Sequence, residues 1–101
     1  MHIIQILLPL FDNAGDAFTP DILKGLQEEL LARFGGLTAY TRAPAKGIWG
    51  STSQASVDDI VIVEVMAETL DSKWWHDFRL RWQKTLRQET LVVRSLPISL
   101  L

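Results

Sequence analysis

The sequence predicts a single α+β domain: a ferredoxin-like β-α-β-β-α-β sandwich, with a four-stranded antiparallel sheet and two helices on one face. Three observations carry this prediction. Two segments repeat apolar residues at helical spacing, and four short segments read as strands. Their order also builds two βαβ-type halves. Right-handed crossovers then place both helices on the same side of the sheet, with the first and third strands at its centre. The 101 residues make one domain over 1–101. A chain this size buries roughly two-thirds of the surface its unfolded form exposes, so it needs no staples.

The first strand spans 2 to 11, an Ile- and Leu-rich run closed by the turn formers Asp12, Asn13, Ala14, Gly15 and Asp16. It has neither a basic leader nor a small-x-small cleavage site, as a signal peptide would. At about ten residues it is also too short to span a bilayer. The reading is therefore a buried strand in a cytoplasmic protein without a membrane segment. The first helix opens at Thr19-Pro20-Asp21, with Thr19 as N-cap, Pro20 at the first helical position and Asp21 at the positive dipole end. Ile22, Leu23, Leu26, Leu30, Leu31 and Phe34 form its apolar stripe, and Gly35-Gly36 stops it.

Residues 37 to 42 read as the second strand. Residues 43 to 56, with Pro44, Gly47 and Gly50, read as a long, partly extended connection in which Ile48-Trp49 continues the strand. The third strand, 59 to 66, is dominated by β-branched residues. Asp71 or Ser72 caps a second helix reaching about Arg87. Trp75, Phe78, Trp82 and Leu86 lie on its buried line, and its charged residues read as a solvated face. The fourth strand, 90 to 96, ends at Pro97, and the apolar tail after it is expected to pack on the fold.

Strand alternation separates two faces. Ile4, Ile6 and Leu8 with Val61, Val63, Val65, Leu91 and Val93 belong under the helices. Gln5, Glu64 and Arg94 belong on the open face, and Tyr40 and Arg42 are placed there too. Ile3, Leu7, Ile60, Ile62, Met66 and Val92 share that face, more apolar surface than the ~400 Å² that soluble monomers tolerate. A second copy of the chain, packed sheet to sheet in a two-fold homodimer, would cover it. The alternative is a monomer whose tail and 43–56 loop fold over the sheet.

Gln5, Glu64 and Arg94 are polar groups in an apolar setting. They could form the floor of a ligand site, with Glu64 as base or acceptor and Arg94 as anion clamp. Equally, they could be a structural Glu–Arg pair with Gln5 as extra partner, since buried charges persist only when paired. His76 on the second helix is a surface residue with general acid–base capacity. Trp49, between Gly47 and Gly50, could lie against a ligand or a neighbouring subunit, and Arg42 could hold an anionic group.

No metal site is expected. There is no cysteine, the histidines are isolated, and Asp12, Asn13 and Asp16 lack the alternating ligands of a calcium loop. No cofactor motif is present either. The net charge of −2, from ten basic and twelve acidic residues, argues against nucleic acid and anionic membranes as partners. An RNA-binding sheet of this topology would need aromatics where Gln5, Ile60, Ile62 and Glu64 stand.

Arg33-Phe34-Gly35-Gly36-Leu37-Thr38, then Gly47-Ile48-Trp49, then Gln88-Glu89-Thr90-Leu91-Val92-Val93-Arg94 resemble a family of small uncharacterised bacterial domains. Those share an R-F-x-x-G-L-T … G-x-W … Q-E-x-V-x-R pattern. The resemblance implies a ferredoxin-like fold and no activity, and it marks Trp49, Gln88, Glu89 and Arg94 for testing. The functional expectation is a small dimeric binding or interaction domain. The alternative is a cofactor-independent isomerase or monooxygenase acting on a small, anionic organic molecule.

Overall fold

The computed structural model describes residues 1–49 and 56–101; the side chains of 42–47, 49 and 56–59 lie outside that description. The elements run β1 (His2–Pro9), α1 (Pro20–Phe34), β2 (Thr38–Trp49), β3 (Ser56–Ala67), α2 (Ser72–Thr85) and β4 (Val92–Pro97). The sheet order is β2-β3-β1-β4 and every pairing is antiparallel, which is the ferredoxin-like arrangement. No described helix is long and apolar enough to cross a membrane.

Local chemistry explains the helix ends. Thr19 caps α1 from an extended conformation without a side-chain hydrogen bond, and Pro20 supplies the preset φ of the first turn. Gly35, at φ 77°, closes α1 in the left-handed region with its N–H donating to the Leu31 carbonyl. In α2 the Asp71 carboxylate accepts from the Trp74 N–H at 3.1 Å, a true N-cap. The other end of α2 is a Schellman turn. Arg87 takes φ 51°, Arg87 N–H donates to Lys84 O and Gln88 N–H to Gln83 O. The acidic loop after β1 is turn chemistry: Asp12 Oδ1 accepts from the backbone N–H of both Ala14 and Asp16 at 2.9 Å.

β2 runs far beyond Arg42, taking up Ile48-Trp49 as expected. It holds Pro44 because it is an edge strand whose ladder is interrupted there. Tyr40 faces Ile62 and Ala45 faces Ile60, so four residues of β2 span one residue of β3.

The core lies between sheet and helices. Ile4, Ile6, Leu8, Val63, Val65 and Leu91 meet Leu26, Leu30, Trp75, Phe78 and Leu86. Phe78 is its largest fully buried side chain, and it belongs to an aromatic group with Phe34, Trp74, Trp75 and Trp82. Three expectations need correction. Leu31 is exposed, on the solvent side of α1. Ile60 shares the parity of Ile62 on the open side, in register with Pro9 and Ala45, but it is buried there and adds nothing to the exposed patch. The tail does not pack down: Ile98 N–H bonds Met1 O, but Leu100 is exposed.

The two helices are tied by polar contacts on their outer side. Arg81 forks onto Glu29 with hydrogen bonds of 2.9 and 2.6 Å, and the Trp82 indole N–H donates to the same carboxylate at 2.8 Å. The Arg81 hydrogen bonds, helped by Trp82, hold the Glu29 carboxyl below its ordinary 4.5 against the opposing effect of partial burial. A folded-state value below the unfolded one gives stability that is present above about 4.5 and is lost as pH falls through the folded-state value. The thermal midpoint should therefore drop on acidification below that point less steeply in Glu29→Gln than in the wild type, by calorimetry. Gly25, inside α1, faces Trp82, and a Cβ there would meet Trp82 Cη2 at 3.6 Å, ordinary contact. Gly25→Ala should raise unfolding free energy by roughly 0.5–1 kcal/mol in urea titration.

Candidate functional site

The open sheet face carries one polar row between two apolar rows. Thr38, Glu64, Gln5 and Arg94 stand opposite one another across β2, β3, β1 and β4. Met66, Ile3 and Leu96 form the apolar row on one side. Tyr40, Ile62, Leu7 and Val92 form the row on the other.

Within the polar row the side chains are linked. Arg94 Nε donates to Gln5 Oε1 at 2.7 Å, and Gln5 Nε2 donates to Glu64 Oε1 at 2.6 Å. Glu64 Oε2 accepts from the Tyr40 hydroxyl at 3.2 Å. The charges thus do not pair directly. Gln5 stands between them, because an amide can accept from a donor-only guanidinium and donate to an acceptor-only carboxylate at once. The reverse amide orientation would oppose oxygen to carboxylate and NH₂ to guanidinium, so the neighbours fix how Gln5 points.

Tyr40 was on the expected face but not among the expected site residues. Its phenol donates to Glu64, and that hydrogen bond, followed by the Glu64 charge, raises its ionisation above the ordinary 10.0. Beside Glu64, where β2 begins, lies an open groove of about 350 Å³ reaching Ile3, Phe34, Gly36 and Met66. Arg94 uses only Nε in the row.

The expected candidates divide between two layers. Gln5, Glu64 and Arg94 come together on the open face. His76 is exposed on α2, on the helical side, away from Glu64, but it borders a second groove that Arg94 also lines. The side chains of Arg42 and Trp49, and residues 50–55, lie outside the described residues. Of the motif residues, Arg33 stacks over Trp74 at 4.3 Å and pairs with Asp71 at 3.2 Å. Gln88 Nε2 holds the carbonyls of Phe11 and Leu86, a structural tie between loops. Among the described residues, no three His, Cys, Asp or Glu side chains gather as a metal cluster.

No protein-family model matches the chain, and no curated protein matches it in sequence. Solved structures do match in fold. A divalent cation tolerance protein CutA1 from Thermus thermophilus superposes with TM-score 0.61 at 11% identity, over 98% of this chain and 85% of that one. A periplasmic divalent cation tolerance protein CutA from Archaeoglobus fulgidus gives 0.62 at 15% identity, over 97% and 84%. A phage SAM lyase in its apo state gives 0.60 at 13% identity, over 94% and 78%. At these identities the likeness establishes the fold alone.

Tyr40 is the chain's single tyrosine, so phenolate absorbance reports this site without interference from another. An alkaline titration should place its midpoint above the ordinary value in the wild type and closer to that value in Glu64→Gln. Coincident midpoints would show that the Tyr40–Glu64 bond does not persist in solution.

Proposed function

We propose that this chain is a self-associating binding domain whose open sheet face is the contact between copies, with the Arg94–Gln5–Glu64–Tyr40 row as its recognition element. The observation that carries the reading is the layout of that face. Two apolar rows flank one internally linked polar row, and Met66 and Leu96 are 53% and 49% exposed. Burying side chains of this size contributes roughly 1.5–3 kcal/mol each, so a cover for this face is favoured. The polar row brings no net charge to the contact, because Glu64 and Arg94 balance through Gln5, and its bonds offset part of the desolvation cost of packing. A face-to-face homodimer is the smallest closed arrangement.

A second reading, a cofactor-independent enzyme on a small organic molecule, is favoured by the groove beside Glu64, where the carboxylate would act as base with Tyr40 as its hydrogen-bond donor. The fold does not choose between the two readings. It is shared by proteins named for divalent cation tolerance and by a lyase. Nor does it carry a compartment: the Archaeoglobus protein is named as periplasmic, whereas a cytoplasmic setting is the expectation for this chain.

Light scattering on a sizing column should give a whole multiple of the chain mass for the wild type. It should give the single-chain mass for the Met66→Lys/Leu96→Lys double variant. Both side chains are half exposed, so the fold should survive their replacement. A wild type that stays at the single-chain mass at high concentration would overturn the reading.

A further inference from the structure

We infer that the groove between α2 and the free edge of β4 is a binding site for a small organic anion. Its volume is about 230 Å³, below the roughly 300 Å³ at which drug-sized sites begin, so it suits a compact ligand. Its floor is apolar, formed by Ile4 and Trp75, both buried, with Val93 beside them. Its rim is basic: His76 and Arg79 line it from α2 and no carboxylate does among the described residues, while Arg94 borders it from β4 with its guanidinium turned to Gln5 on the open face. In a chain of net charge −2 this is a local reversal of sign.

The arrangement follows from helical spacing. Ser72, His76, Arg79 and Gln83 lie four, three and four residues apart, which places them on one stripe of α2. That stripe runs along β4: Gln83 Oε1 accepts from Leu91 N–H at 3.0 Å, at the entry to the strand. The same oxygen accepts from Arg79 Nη1 at 3.2 Å. The Arg79 guanidinium is therefore oriented by one neutral amide, with most of its five donors left over among the described residues. Anchored forks of this kind lose less freedom when they take a carboxylate or phosphate. The carboxylate nearest His76 in sequence, Asp77, acts instead on Arg81, on another face of the helix. An apolar floor under a basic rim selects an anion with an apolar body, and among the described residues no strand pairs with the outer edge of β4, which leaves the groove open.

The test is a titration of the full chain, followed by ¹H–¹⁵N correlation spectra, with benzoate, phenyl phosphate and benzylamine as probes. Benzoate or phenyl phosphate should give saturable shifts confined to residues 72–79 and 93–95, with Kd of about 1 mM or tighter. The stronger of the two identifies the carboxylate or phosphate class. Benzylamine should give none. Arg79→Gln and His76→Gln should each weaken binding about tenfold, as expected for loss of one hydrogen bond to the charged ligand. Spectral dispersion checks that the variants are folded. Absence of saturable shifts with either anion, equal binding of benzylamine, or an unchanged Kd in both variants would each overturn the assignment. Oligomeric state, read on the same samples, separates this outcome from that of the self-association reading.

Discussion

The rest of the molecule depends on β1 having both edges bonded and both faces committed. Ile4, Ile6 and Leu8 enter the core, while Ile3, Gln5 and Leu7 lie on the open side between β3 and β4. A slip of one residue would send Gln5 into the core and Ile4 and Ile6 out of it. The polar row adds a second lock. Gln5 meets Glu64 and Arg94 together only in the observed register. Burial supplies most of the stabilisation, and the amide bridge helps specify which pairing receives it.

The helical layer is fastened at two points. Glu29 takes Arg81 and Trp82 near the middle of the pair, and Asp71 joins the end of α1 to the start of α2 by capping one and pairing with Arg33 on the other. Between these ties, Phe34, Trp74, Trp75 and Phe78 pack ring against ring at 4.8 to 5.5 Å. Aromatic pairs at such distances add to their area burial. The helices thus form a plate laid over the sheet, and the grooves lie at its margins: one beside Glu64, one beside Arg94.

Much of this was legible in the sequence because alternation needs no tertiary knowledge. The core faces of β1 and β3, the buried line of α2 and the shared face of Gln5, Glu64 and Arg94 all follow from periods of two and 3.6. What stayed hidden depends on register and on distant partners. Parity places Gln5 on the same face as two charges but does not show that its amide stands between them. The part played by Tyr40 requires the β2–β3 register, which is interrupted just after it. Arg81 looked solvated because its partner Glu29 is 52 residues away. The meeting of His76 and Arg79 with the edge of β4 requires knowing how α2 lies over that edge. Leu31 followed the helical stripe in sequence, yet it lies on the solvent side of α1.

The interruption in β2 also governs where the chain tolerates a change of length. Elsewhere in a central ladder, one inserted or deleted residue exchanges inside for outside along the remainder of the strand. Between Tyr40 and Ala45 the odd number of extra residues has already reset that alternation. A residue added or removed there alters only the size of the excursion and leaves the pairing on either side intact. Homologous chains that differ in length are therefore expected to differ at this point first, without disturbing the polar row.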